Sequence, residues 1–396
     1  MIEQISIKNF KSFKDVSVKL GPLNIFIGPN ASGKSNFFDA LRVLQGIGYG
    51  FTLHEILDGK PKSVTSEIWE GIRGGSAQVG FAFENGDKPT SLQVTGEVRR
   101  EANASFHLAI SFIAGKGRFG EEVLSLAGDN IYHAQAEGAT TPFPRVTYFT
   151  DEGRRGSFDA DQTCPVLTQV ARELDRRVEP VVHTLADMQR TDPSPALLRA
   201  YSKAYEIKRM GEQGENFAAL IRMICSDPGT KEAYLTWLRE LRPREVDDVG
   251  VLKGALGEPM LMMKEGDREW PAPVLSDGTL RFAAIAAAFF QPDMPGIMTI
   301  EEIENGIHAS RLRLLVELLR NRAAEGKTQV IVTTHSPLVL AWLKPEEYAT
   351  TFYCKRDEET GESHIVPLNE IPRFQEIVSK QPISDLFAEG WMEAAL

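Results

Sequence analysis

The octapeptide GPNASGKS at residues 28–35 lies between the apolar run LNIFI and a segment whose apolar residues recur at helical spacing. A G-x-x-x-x-G-K-[ST] turn joining a strand to a helix restricts the fold to one built on a largely parallel sheet. Gly28 and Gly33 free backbone N–H groups to face an anion, and the helix N-terminus adds positive potential. Lys34 is positioned to reach the β and γ phosphates of a nucleotide, and the Ser35 hydroxyl to bind Mg²⁺. Pro29, Asn30, Ala31, Ser32 and Asn36 complete the expected binding loop.

Three further segments fall in register with this loop. GIMTIEEIENGIH reads as a strand ending in two carboxylates. Glu301 is expected near the Mg²⁺ shell, because hard cations prefer oxygen ligands. Glu302 points elsewhere and is the candidate general base that orients an attacking water. VIVTTHSP puts His335 directly after an apolar strand, where an imidazole can sense a γ-phosphate or the attacking water. LSDGT, residues 275–279, begins an apolar helix about 25 residues before the acidic pair. Ser276, Asp277 and Gly278 there read both as a helix cap and as a second phosphate contact. Asn305 and Gly306 read as a turn beside the same surface.

The remaining pattern is α/β with a mixed core sheet, a lateral antiparallel sheet and a helical insertion. ISIKNF and VSVKL alternate as antiparallel strands, and AQVGFAF, SLQVTGEV and FHLAISFIA extend the lateral sheet, with turns at Asn85–Gly86 and near Gly115. From about 165 to 241 the pattern is helical, without a sustained heptad. Strands return at VLKGAL and MLMMKEG, and a helix is expected from Ser310 to Ala324. The expected divisions are therefore 1–100 for the first half of the core, 101–250 for the insertion and 251–396 for the second half.

Composition narrows the class. Of 396 residues, 44 are basic and 55 acidic, giving a net charge of −11 that argues against nucleic-acid binding by the whole surface. The basic positions Lys8, Lys11, Lys14 and Lys19, and Arg172, Arg176 and Arg177, read as solvated faces. The longest apolar run, FAAIAAAFF, is far short of the roughly 20 residues a bilayer requires. The three cysteines have no CxxC pairing, so neither a local zinc site nor a disulfide framework is expected. A cytoplasmic chain without membrane contact follows as the expectation.

IKNFKSFKDVSVKL, NIFIGPNASGKSN, GENFAALI, LSDGTLRF, EEIENGIH and TTHSP together resemble the SMC/RecF/OLD-like branch of ABC-type ATPases, more narrowly the stand-alone AAA-family ATPases of bacterial defence systems. The resemblance covers roughly 45% of the chain, the two halves of the core. It implies ATP and Mg²⁺ as ligands, slow hydrolysis, and a homodimer in which the phosphate loop of one copy and the LSDGT segment of the other enclose ATP. Long-armed members carry coiled coils with paired cysteines, and this chain has neither. OLD-type nucleases carry a Toprim domain after the histidine motif, whereas 61 residues follow His335 here. The glutamine loop of the family has no clear counterpart: Gln78 is one candidate, and VTYFT ends instead in Asp151–Glu152. The expected function is an ATP-driven switch that regulates a separate effector, such as a nuclease acting on foreign DNA. The alternative is a RecF-like DNA-binding ATPase of repair or recombination.

Overall fold

The computed structural model describes residues 1–60, 69–81, 88–98, 104–135, 145–149, 155–203, 206–241 and 246–396. The turn at Asn85–Gly86 and the pair Asp151–Glu152 lie outside them. The chain opens with strands β1 (Ile2–Phe10), β2 (Phe13–Lys19) and β3 (Leu23–Ile27), then helices α1 (Lys34–Tyr49) and α2 (Leu53–Asp58). Strands β4 (Thr90–Val98), β5 (Ala104–Ile113), β6 (Arg118–Leu126), β7 (Asp129–Gln135), β8 (Arg145–Phe149) and β9 (Arg155–Asp159) follow. Next come α3 (Val166–Glu173), α4 (Glu179–Ala186), β10 (Met188–Thr191), α5 (Pro195–Leu198), α6 (Phe217–Ser226) and α7 (Pro228–Leu241). The C-terminal part contains β11 (Asp248–Lys253), β12 (Pro259–Glu265), β13 (Arg268–Pro271), α8 (Asp277–Ala288), β14 (Ile297–Ile300), α9 (Ala309–Ala324) and β15 (Gln329–Thr334). It closes with α10 (Pro337–Leu340), β16 (Thr351–Arg356), β17 (Ser363–Pro367), α11 (Phe374–Val378), α12 (Ile383–Ala388) and α13 (Trp391–Ala394).

These elements form two compact units. The first comprises residues 1–21, 28–188 and 352–367. Its framework is an antiparallel sheet in the order β2-β1-β4-β5-β6-β7-β8-β9. Alternation sets its inward face: Phe106, Leu108, Ile110 and Phe112 of β5 are all buried. Gly48 lets α1 approach the α4 backbone, since a Cβ there would lie 2.5 Å from the Ala186 nitrogen. One buried polar knot joins the sheet to α3. The Glu122 carboxylate on β6 accepts hydrogen bonds from the Tyr132 hydroxyl at 2.6 Å and from the Val166 and Leu167 amides at 2.9 and 2.6 Å. It thereby satisfies the first free N–H groups of α3, a helix with no side-chain cap of its own.

The second unit comprises residues 22–27, 189–351 and 368–396. Its sheet has β10, β14, β15 and β3 side by side in that order. β14 and β15 are parallel, as are β15 and β3. All residues of β3, β14 and β15 are buried, as expected of parallel strands covered on both faces. Helix α8 contributes Ala283, Ala284, Ala286, Ala287 and Ala288 to the core. The buried Tyr234 hydroxyl donates to the Ala283 carbonyl at 2.9 Å. A three-stranded antiparallel sheet, β11-β12-β13, completes the unit.

Two local expectations fail. AQVGFAF is not a strand over its described residues 77–81. Ser76–Gln78 is a short 3₁₀ turn, preceded by Gly74 and Gly75 at positive φ of 76° and 55°. Ala77 and Gln78 are exposed while Val79 and Gly80 are buried, so the burial does not alternate. The stretch read as helical also contains the strand β10. Its residues, MQRT, bury the polar Gln189 and Thr191, so no apolar period announces it.

Burial holds Glu122 above its ordinary carboxylate range, against the lowering effect of the Tyr132 hydroxyl and the two amides. The folded state therefore binds this proton more tightly than the unfolded one. Its stability contribution is full below the ordinary value of 4.5 and is lost as pH rises through the raised value. Tyr132→Phe removes a donor to the ionised form and should destabilise by about 1–3 kcal/mol, more at pH 8 than at pH 4. Urea unfolding at both pH values measures the difference.

Candidate functional site

In the first unit, the phosphate-loop residues wrap the start of α1. A Cβ on Gly28 would run into the Cys354 carbonyl oxygen, and one on Gly33 would lie 2.6 Å from Ser363 Oγ. Gly33 has φ +104°, which other residues reach only with strain. Pro29, Asn30 and Ala31 are exposed, while Ser32, Gly33 and Lys34 are buried. The Lys34 ammonium folds back onto the loop, donating to the Gly28 and Pro29 carbonyls at 2.7 Å each. A phosphate would offer that ammonium a charged acceptor in place of two neutral ones. Asn36 Nδ2 donates to Ser12 Oγ at 2.7 Å, and Ser12 accepts the Ser363 amide through its carbonyl. Burial pushes the neighbouring Cys354 thiol up to about 12, so it stays protonated.

Behind the loop lies a buried ion pair, Lys11–Asp39, joined by the exposed Arg73. Lys11 Nζ meets Asp39 Oδ2 at 2.5 Å and the Arg73 carbonyl at 2.6 Å. Arg73 pairs with Asp39 at 3.2 Å and donates through Nη2 to the Ser35 carbonyl. Lys11 is thus 2% exposed rather than part of a solvated face. Its partner Asp39 is 28 residues away, so the pairing leaves no local trace. Burial pulls the Lys11 ammonium below its ordinary value, and Asp39 partly opposes this.

In the second unit, the remaining candidates converge at the carboxyl ends of β14 and β15. Glu301 follows β14 directly, and its Oε1 lies 3.1 Å from Arg190 Nη2. Arg190 also pairs with Glu212 at 2.8 Å. Glu302 has φ +47°, a left-handed conformation that costs a non-glycine residue about 1–3 kcal/mol. Its amide donates to Thr333 Oγ1 at 3.0 Å, and its side chain is exposed. His335 directly follows β15. Its amide donates to Glu304 Oε1 at 2.7 Å, and its Nδ1 is 3.1 Å from the same oxygen. A proton held at Nδ1 leaves Nε2 as the acceptor on an imidazole that is half exposed.

Ser276 caps α8: its Oγ accepts from the Thr279 amide at 3.3 Å. Asp277 is paired with Arg199 at 2.5 Å, and Arg199 also holds the Leu275 carbonyl at 2.9 Å. Gly278 packs against Gly306, whose carbonyl oxygen a Cβ would strike. Arg281, one helical turn on, is 5% exposed. Its Nη1 donates to Asp192 Oδ1 and the Pro193 carbonyl at 3.1 Å each, and its Nη2 to the Glu301 carbonyl at 3.2 Å.

Arg190, Arg281, Glu304 and Thr333 escape the motif reading. Glu304 could have been found in EEIENGIH, two residues past Glu302, and Arg281 as the one charge in the otherwise apolar run LRFAAIAAA. Arg190 and Thr333 carry no such signal.

Each unit has residues whose chemistry fits a magnesium nucleotide. In the first, the loop has two glycines whose Cβ atoms would fill it, and the Ser35 hydroxyl is a hard oxygen donor. In the second, the Glu301 carboxylate is a hard oxygen donor. Among the described residues, no group of three or more His, Cys, Asp or Glu is gathered to hold a metal. Among the same residues, no helix is long and apolar enough to cross a membrane.

Two family models match the chain. Residues 1–95 match "AAA ATPase domain", and residues 237–341 match "AAA domain, putative AbiEii toxin, Type IV TA system". An ATP/GTP phosphatase of Helicobacter pylori is 24% identical over 401 residues, covering 93% of this chain and 95% of that protein. An OLD nuclease of Thermus scotoductus is 35% identical over 95 residues, which are 24% of this chain and 14% of that one. The fold is similar to that of an SMC head crystallised with the C-winged helix domain of ScpA. That match has a TM-score of 0.50 at 14% identity and covers 92% of this chain and 96% of the other.

Gly278 provides a test with a definite sign. Helix propensity alone favours alanine there by about 1 kcal/mol, but the Gly306 carbonyl blocks a Cβ. Gly278→Ala should therefore destabilise, by about 1–3 kcal/mol. Gly229→Ala on α7, where the nearest atom is Asp227 Oδ2 at 3.5 Å, should stabilise by about 0.4–1 kcal/mol. Thermal unfolding of the two variants reads both signs.

Proposed function

We propose that the chain works as the SMC/OLD-like ATPases of the ABC type that it resembles, two copies enclosing ATP and acting as a switch on a separate effector protein. The observation that carries this reading is the presence in one chain of two helix N-termini suited to phosphate. One is the phosphate loop at the start of α1, and the other is Ser276–Gly278 at the start of α8. In the sandwich arrangement they serve different nucleotides, the second one across the dimer.

Residues 28–36 hold the phosphates, with Lys34 turning from its own carbonyls to the β and γ oxygens. In this reading Ser35 and Glu301 would supply oxygen ligands to Mg²⁺, which when bound would neutralise phosphate charge and polarise the terminal phosphoryl group. Glu302 orients a water in line with the γ-phosphorus and takes its proton as the oxygen attacks. His335, held through Nδ1 by Glu304, presents Nε2 as a probe of the γ-phosphate. Attack by water breaks the bond between the γ-phosphorus and the bridging oxygen and leaves ADP and phosphate. Closure is then undone, because the ligand that bound the closed form more tightly is gone.

The description of the second matched family refers to a toxin–antitoxin system. It supports an output delivered through a partner, and we assign that partner to defence against foreign DNA, as a nuclease. The net charge of −11 weighs against DNA as the directly regulated ligand. Binding that strengthens with ATP and weakens steeply with salt would instead favour the RecF-like reading.

Lys34→Ala should lose ATP binding. Glu302→Gln should keep ATP binding, lose hydrolysis by about two to three orders of magnitude, and remain dimeric with ATP. Filter binding, phosphate release and light scattering measure the three. A Glu302→Gln chain that hydrolyses ATP normally, or stays monomeric with millimolar ATP, contradicts the proposal.

A further inference from the structure

We propose that Arg281 is a positioning residue for hydrolysis. It fixes the main chain that carries Glu302 and ties it to α8, so that engagement of the α8 N-terminus is felt at the carboxylate. The inference rests on the reading of Glu302 as the base.

Arg281 is a guanidinium set in an apolar helix, 5% exposed, and a buried cation persists only where acceptors surround it. Those acceptors are specific. Asp192 and Pro193 anchor Nη1, while Nη2 donates to the Glu301 carbonyl and, more weakly at 3.5 Å, to the Glu302 carbonyl. On the other side of the same peptide, the Glu302 amide donates to Thr333 Oγ1 and the Ile303 amide to the Thr333 carbonyl at 3.1 Å. The backbone at Glu302 is therefore clamped from both sides in a left-handed conformation of φ +47°. Among the described residues the Glu302 carboxylate itself makes no hydrogen bond or ion pair, so its aim is set by the main chain.

The second tie runs from the same helix. Gly278, three residues before Arg281, lies against the Gly306 carbonyl beyond the acidic pair. Residues 276–281 and 301–306 are thus joined at two points. A small rotation of α8 on binding an anion at Ser276–Gly278 would carry Arg281, and with it the Glu301–Glu302 peptide. A purely structural arginine would behave differently: its loss would lower stability by leaving Asp192 and the Glu301 carbonyl without their donor, while the folded chain kept its kcat.

The test uses the full-length chain with ATP and Mg²⁺. Arg281→Met should fold, bind ATP with unchanged affinity and show unchanged KM, while kcat falls about 10- to 100-fold. Arg281→Lys should recover part of that loss. Combined with Glu302→Gln, Arg281→Met should slow hydrolysis no further, because both changes remove one function. Wild-type kcat in Arg281→Met, or losses that multiply in the double variant, would overturn the inference. Should Arg281→Met not fold, Thr333→Val releases the other side of the clamp. A reduced kcat at unchanged KM supports the inference, and a wild-type kcat overturns it. Normal hydrolysis by Glu302→Gln alone would instead overturn the reading of the base, and the inference with it.

Discussion

The parallel register of β14, β15 and β3 is the constraint on which the site depends. Ile300, the last residue of β14, pairs with Val332, and Thr334, the last of β15, pairs with Ile27. Ile27 is the last residue before the phosphate loop, Thr334 the last before His335, and Ile300 the last before Glu301. Within the second unit, β14 and β15 therefore deliver the carboxylates and the imidazole at neighbouring carboxyl ends, and β3 ends at Ile27 in the same register. A slip of one residue would turn Thr333 away from the Glu302 amide and reverse the burial of every side chain in the strand.

A few charges in this protein are buried or half-buried and are compensated by partners close in space. Lys11 with Asp39, Arg281 with Asp192 and main-chain carbonyls, and Arg190 with Glu212 and Glu301 each tie together segments distant in sequence. Such contacts add little net stability compared with apolar packing, but they demand particular geometry. They cluster at the phosphate loop and at the acidic strand end, where geometry matters most for chemistry. The strained Glu302 belongs with them, since a left-handed glutamate persists only because its neighbours over-determine it.

Much of the fold was legible because its signals are local. An apolar run leading into GPNASGKS, the alternation of SLQVTGEV and FHLAISFIA, and the Ser cap before TLRFAAIAAA each specify an element by spacing alone. What stayed hidden depends on distant partners. β10 is a strand because its neighbour β14 supplies an edge, although MQRT has no strand pattern. AQVGFAF alternates but is held as a turn by Gly74, Gly75 and the amide of Lys11, which donates to the Val79 carbonyl. Lys11 looked solvated because Asp39 and Arg73 are not its sequence neighbours. In the site, the motif residues were readable as types and spacings. Of their hydrogen-bonded neighbours, Glu304 and Arg281 left a trace in the sequence, whereas Thr333 became visible only through its bond to the Glu302 amide.

The central claim is that one catalytic site draws on two copies of the chain, and subunit mixing tests it most directly. A Lys34→Ala chain lacks a working phosphate loop, and a Ser276→Arg chain lacks a working α8 N-terminus, so each alone should be inactive. Mixed in equal amounts, they form heterodimers in which the intact loop of one faces the intact helix of the other. The account predicts ATP hydrolysis in the mixture that neither chain shows alone. A mixture as inactive as its components, with heterodimers demonstrably formed, would contradict it.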